Sequence, residues 1–590
     1  MTGRVKDSPW RRTQPAASET AWMWAAVAML GVAVLCVLAT VAASLAGADL
    51  GNPANYLLMV AFGKKSWPAA ATFILLGTVI VVFFLSFGVW MWLGMRKSSK
   101  KPQGRPGSAW VERKAASMAR PDDMSALLPA GASRDAERLG CATAGKGMPI
   151  GKMVRGLQPL TSSYEWVGAW IMGPRAGKTS CAVVRQICET DGPVVATSNK
   201  RDIVDLTRGV RLARNGYCWT FDPQDLIGEP PGWWWNPLSF VTSTETADEL
   251  ASIFAASASD ALEKGDAYFE PEARSHLSTL LFAAATADLP ITSVWTWLQD
   301  PQDTTPVEIL EMSGHSVMSE SLTGIAALAD GQRDGVIGTA RKLVRWMRNE
   351  QLLRWVTPQS SADPRPQFDP TKFVLSTETL YLISKEGAGT ARAVTAALAV
   401  ATMRAGEKVA GHSPTGRLPR PMPVILDEAA NVVRWERLPS EYSHMGSKGI
   451  LLSTFFQSWA QGCSAFGKEG MEMLWSAANV RVVGSGLADS DFLRSWSAII
   501  GDHDMVNKSV SISPGQNQSI FSTGRSTSTQ LHREAIFEVS ELAAMPPGYA
   551  VVVSAGMPAC LIKLTHWSDT DYGPEVKASN DYFSTLHTAA

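Results

Sequence analysis

Val167-Gly168-Ala169-Trp170-Ile171-Met172-Gly173-Pro174-Arg175-Ala176-Gly177-Lys178-Thr179-Ser180 is the stretch that decides the fold. Its first six residues form a short apolar run, suited to a buried strand. A Gly/Pro turn follows, and Ser180 to Cys188 reads as a helix. In a strand–loop–helix order, backbone N–H groups at the helix start point at phosphate oxygens. Lys178 then reaches the β- and γ-phosphates, and the Thr179 hydroxyl suits Mg²⁺. The expected nucleotide contacts are Gly173, Pro174, Arg175, Ala176, Gly177, Lys178, Thr179 and Ser180. The strict pattern G-x-x-x-x-G-K-[ST] is not met, because Met172 stands where the first glycine belongs and Gly173 comes one place late. A chance Gly-Lys-Thr turn is the competing reading. Gly151-Lys152 is such a decoy, followed by Met153 with no hydroxyl.

A second motif decides between them. Pro423-Val424-Ile425-Leu426-Asp427-Glu428 is an apolar strand ending in two carboxylates. The carboxyl edge of a parallel sheet faces the ligand crevice. Asp427 there is expected in the Mg²⁺ shell with Thr179, and Glu428 as the base for an attacking water. Gln457, after the apolar run Ile450 to Phe456, is a third candidate, able to sense the γ-phosphate or orient water. A solvated acidic cap and a solvated strand-end amide are the plain alternatives.

Further strands are expected at 193–196, 217–221, 379–383 and 480–483, giving the alternation of a parallel α/β sheet. Residues 243–360 are Ala- and Leu-rich with helical spacing and read as an inserted all-α domain between two parts of a nucleotide-binding domain, 147–242 and 361–590. The Ser/Thr/Gln-rich stretch 507–530 reads as a mobile loop. Trp233-Trp234-Trp235 reads as packing around Asn236-Pro237 rather than as a base-stacking platform.

Toward the N-terminus, residues 21–48 and 66–95 carry no charge. Each exceeds the roughly 20 apolar residues that cross a bilayer core. The reading is a cytoplasmic tail (1–20), a transmembrane hairpin (21–95, spans 21–46 and 69–94) and a juxtamembrane linker (96–146). Basic residues flank the pair, so a multi-pass membrane location is expected, with both termini and the body of the chain in the cytoplasm. The formal charge of the whole chain is −1, so any nucleic-acid contact must be local. Seven scattered cysteines with no C-x-x-C pair argue against a disulfide framework or a zinc site.

Together these pieces resemble the TraG/TraD family of type IV secretion coupling proteins. The resemblance runs from the hairpin through Gly107-Ser108-Ala109-Trp110, the phosphate loop, Asn199-Lys200-Arg201-Asp202, Phe221-Asp222-Pro223, Trp235-Asn236-Pro237-Leu238 and Leu426-Asp427-Glu428-Ala429-Ala430-Asn431. It continues through Gly449 to Gln457-Ser458 with Gln461, and Leu542 to Trp567. It implies a RecA-like P-loop ATPase using ATP and Mg²⁺. It also implies a hexamer at the bacterial inner (plasma) membrane that hands DNA, as a single strand with its relaxase, to secretion-channel components. Lys448 stands where relatives often carry an arginine and is expected to act in trans on a neighbour's phosphate. Two other functions compete: an FtsK-like DNA translocase, and a nucleotide-gated receptor that hydrolyses little.

Overall fold

The computed structural model describes residues 36–49, 51–78, 80–81, 84, 108–141, 147–258, 268–385, 391–514 and 523–586. The chain divides into two compact units, Met1–Arg105 and Pro106–Ala590.

In the first unit the described helical turns are short. Residues 36–45 are helical, and the chain then turns through Gly47 (φ +82°) and Gly51 (φ +51°). A second helix spans Pro53–Ala61. Ala43, Tyr56 and Ala71 pack together beside Trp67. The expected hairpin is corrected here. No helix among the described residues is long and apolar enough to cross a membrane. A ten-residue helix rises about 15 Å, half of a hydrocarbon core of roughly 30 Å. The multi-pass location and the cytoplasmic placement of both termini fall with that finding. Residues 1–35 and 85–107, which held much of the two expected spans, lie outside the described residues.

The second unit is built on one eleven-stranded sheet, ordered β2-β1-β13-β12-β9-β3-β8-β7-β4-β6-β5. The strands are β1 (Met148–Met153), β2 (Pro159–Ser162), β3 (Gly168–Ile171), β4 (Val194–Ser198), β5 (Cys218–Phe221), β6 (Thr379–Ile383) and β7 (Met422–Leu426). β8 (Ile450–Phe456), β9 (Val480–Gly484), β12 (Tyr549–Ser554) and β13 (Cys560–Lys563) complete it. The run β9-β3-β8-β7-β4-β6-β5 is parallel throughout. β12, β13, β1 and β2 extend it antiparallel. Every residue of β4, β6, β7 and β8 is buried, as a parallel sheet covered on both faces requires.

Between β5 and β6 the described chain is helical. Thr244–Ala258, Glu270–Thr286 and Asp330–Leu343 are its longest members. The Ala391–His412 helix, buried over most of its length, also packs on Thr244–Ala258. Trp233 and Trp235 are buried, and Trp233 sits among Trp219, Phe221, Trp355 and Phe368. The tryptophans are therefore core, as read from the sequence. Residues 108–141, expected as a linker, pack on this unit: Val111, Met124 and Leu127 are buried, and Lys114 pairs with Glu541 at 2.7 Å. Residues 507–530 also differ from the expected loop. Their described part belongs to an antiparallel hairpin of β10 (Asp502–Pro514) and β11 (Thr523–Ala535), thirteen pairs long. Threonine is common in strands, and polar composition alone does not separate a loop from a strand pair.

Candidate nucleotide-binding site

The site lies at the carboxyl edge of β3, β7 and β8. Met172 still belongs to the strand ladder: its N–H donates to the Phe456 carbonyl at 3.0 Å. The Gly173 N–H then donates to the Ser485 carbonyl at 2.9 Å, so the loop leaves β8 and leans on the turn after β9. A Cβ on Gly173 would lie 2.1 Å from the Gly486 carbonyl oxygen, which admits only glycine. Met172 itself is buried, with its side chain packed over Gly484. The close approach that needs a glycine therefore occurs one residue later than the strict pattern has it, against a glycine-flanked turn the sequence reading did not connect to the loop. Arg175 (φ +60°) and Gly177 (φ +93°) curl the loop. The Cys181 N–H donates to the Gly177 carbonyl at 2.8 Å, and a wide helical turn at Thr179–Val183 runs into Val184–Cys188.

Lys178 lies between the two carboxylates. Its Nζ is 2.9 Å from Asp427 Oδ1 and 2.5 Å from Glu428 Oε1. The Thr179 hydroxyl donates to Asp427 Oδ2 at 3.4 Å. A hydroxyl and a carboxylate oxygen on facing elements are the hard oxygen donors that Mg²⁺ prefers, so this pair fits that ion. Thr197, inside β4, donates to the Asp427 carbonyl at 2.9 Å and ties the acidic turn to the next strand. Glu428 adopts a left-handed backbone (φ +57°, ψ +47°), uncommon for a residue with a side chain and frequent at functional turns. Its Oε1 accepts from Gln457 Nε2 at 2.8 Å, and its Oε2 from Gln461 Nε2 at 3.3 Å.

The electrostatics divide the acids. Burial pushes the Glu428 carboxyl up, but Lys178 and the two amides outweigh it and hold the group below its ordinary value. For Asp427, burial wins over Lys178, with Glu428 and Asp202 adding repulsion, and its carboxyl is raised. Burial opposes the charge of Lys178, yet the two carboxylates hold its ammonium above the ordinary lysine value. Burial also raises Asp202, at the start of the Asp202–Asn215 helix.

Of the residues expected from the sequence, Lys178, Thr179, Asp427, Glu428 and Gln457 come together. Lys448 does not. It ends the Leu438–Ser447 helix before β8, at the amino edge of the sheet. Seven residues of β8 separate it from Gln457, about 23 Å at strand rise. Gln461, Thr197 and the turn Gly484-Ser485-Gly486 were not among the expected site residues. Only Gln461 carried a signal: Ser458-x-x-Gln461 is a helix-start pattern directly after a strand-end Gln. A separate cavity of about 840 Å³ lies between the Thr244–Ala258 and Ala391–His412 helices. Arg404 in its lining is paired with Glu249, Glu407 and Glu441.

Residues 421–547 match the family model described as the TraM recognition site of TraD and TraG. No curated protein sequence matches the chain. Among solved structures, the plasmid coupling protein TrwB in complex with the non-hydrolysable ATP analogue ADPNP is similar at 14% identity, covering 73% of this chain and 92% of that one, with a TM-score of 0.50. The bacterial conjugative coupling protein TrwBΔN70 is similar at 13% identity, over 73% and 91%, with a TM-score of 0.49. VirB4 of Thermoanaerobacter pseudethanolicus follows at 12% identity, over 73% and 98%, with a TM-score of 0.41. The family match over 421–547 contains Asp427, Glu428, Lys448 and Gln457, and the resemblance to the TraG/TraD coupling proteins is borne out.

Proposed function

We propose that this chain, a relative of the TraG/TraD coupling proteins, is an ATPase that couples DNA, or a relaxase–DNA complex, to a type IV secretion channel. The observation that carries the reading is the Lys178 ammonium within 2.9 Å of both carboxylates at the mouth of the phosphate loop. A lysine so held is already positioned for phosphate, and the acids are already positioned for metal and water. The family model over 421–547 supports the conjugative role, since it is named for recognition of TraM. TrwB, the structural relative at a TM-score of 0.50, carries an ATP analogue.

The mechanism follows from the side chains. Backbone N–H groups of Arg175 to Ser180 bind the phosphates, and Lys178 turns from the acids to the β- and γ-oxygens. Thr179 and Asp427 would hold Mg²⁺, which neutralises phosphate charge when bound. Glu428 accepts the proton of the attacking water, its charge favoured by the amides of Gln457 and Gln461. Gln457 keeps that carboxylate in place and orients the water. Lys448, remote from its own chain's site, serves the neighbour's in a ring, most simply a hexamer. Lysine does so as a point charge, without the bidentate geometry of arginine.

The test is steady-state phosphate release by the full-length chain, with and without single-stranded DNA, beside Lys178→Ala. DNA-stimulated hydrolysis that Lys178→Ala abolishes supports the motor. Nucleotide binding without hydrolysis in either condition would favour the receptor.

A further inference from the structure

We propose that Gln461 is a positioning residue for hydrolysis, fixing the second oxygen of Glu428 and tying it to the start of the Trp459–Ala477 helix; this rests on Glu428 being the base. Ser458 is the N-cap of that helix, and its Oγ accepts from the Gln461 N–H at 3.1 Å. The Gln461 side chain then reaches back, and its Oε1 accepts from the Gln457 N–H at 2.8 Å. That backbone donor decides which way the amide faces. With its oxygen on an N–H, its NH₂ must point the other way, toward Glu428 Oε2 at 3.3 Å.

The consequence appears when nucleotide binds. Lys178 is the closest partner of Glu428 in this structure, at 2.5 Å. Once it turns to phosphate, two amides remain: Gln457 on Oε1 and Gln461 on Oε2. Both are donors that cannot take the proton themselves. They favour the charged carboxylate and keep it from following the lysine. Five residues, Gln457 to Gln461, thus build a helix start and a carboxylate clamp from the same bonds.

Gln461 as a helix cap alone is the plain alternative, and Gln461→Glu separates the two. A glutamate there still accepts from the Gln457 N–H and sits well at a helix start, so the cap survives. It no longer donates to Glu428 and adds a like charge beside it. In full-length protein, Gln461→Glu is expected to stay folded and still bind ATP, read by melting and by titration. Its kcat at saturating ATP is expected to fall about tenfold or more, because the base is no longer held in place. Wild-type kcat at saturating ATP overturns the proposal. If Gln461→Glu does not fold, Gln461→Lys and Gln461→Met replace it. Only the donor-bearing lysine retains hydrolysis if the clamp matters, and equal rates overturn it. Glu428→Gln runs alongside. Full activity in that variant removes the base and this proposal with it, whereas loss there with normal Gln461→Glu removes this proposal alone.

Discussion

Replacing Glu428 by glutamine keeps the size of the side chain and removes its charge and its proton-accepting capacity. Three bonds change. Lys178 loses a carboxylate at 2.5 Å but keeps Asp427 at 2.9 Å. Gln457 and Gln461 now face an amide instead of a carboxylate. A general base contributes about 100- to 10,000-fold, so kcat falls at least about 100-fold, or about 2.7 kcal/mol of barrier. ATP binding moves the other way. The anion competing with phosphate for Lys178 is halved, and a charge-assisted bond is worth about 1.5–3 kcal/mol. Affinity is therefore expected to rise by about tenfold. The assay is paired: phosphate release for kcat, and titration with a fluorescent ATP analogue for Kd. A variant that binds tightly and hydrolyses within tenfold of wild type refutes Glu428 as the base. One that loses Mg²⁺ dependence instead exchanges its role with Asp427.

Other substitutions probe the loop, the acids and the ring. Met172→Gly restores the strict motif on paper, yet Met172 is buried core, so it is expected to cost about 2–5 kcal/mol in thermal melts without tightening ATP. Gly173→Ala meets the Gly486 carbonyl oxygen at 2.1 Å and is expected to weaken ATP binding at least about tenfold and lower the melting temperature, read by titration and calorimetry. Glu428 titrates below its unfolded value, so its stabilisation is complete above that value and lost as pH falls through the folded one. The stability difference between wild type and Glu428→Gln is expected to shrink on acidification, in melts from neutral pH downward. Lys448→Ala is expected to keep ATP binding and lose hydrolysis. Mixing it with Lys178→Ala subunits then restores part of the rate, because an intact Lys448 meets an intact phosphate loop; no recovery argues against action in trans.

The sheet was legible because β4, β6, β7 and β8 are short, mostly apolar runs, as suits strands of a parallel sheet buried on both faces. The acidic strand end was legible for the same reason, since the carboxylates follow Leu426 directly. The brace at Gly484 to Gly486 was not, because it lies some 300 residues from Gly173 and nothing local in either segment names the other. The two uncharged N-terminal stretches show a different limit. Hydropathy measures length without charge, whereas the described helix ends at 45 and the chain turns through glycines at 47 and 51 before Pro53 starts another. The strand pair β10 and β11 escaped because its polarity matches a loop, whereas its strand character shows in the cross-strand pairing.

The most direct test is a structure of the full-length chain with Mg²⁺ and a non-hydrolysable ATP analogue. The site geometry predicts the γ-phosphate on the backbone N–H groups of Arg175 to Ser180, with Lys178 Nζ moved from Glu428 onto its oxygens. Thr179 and Asp427 will share the Mg²⁺ shell, and Glu428 will stay on Gln457 and Gln461, facing the in-line water. Nucleotide bound elsewhere, with Lys178 still 2.5 Å from Glu428, contradicts it.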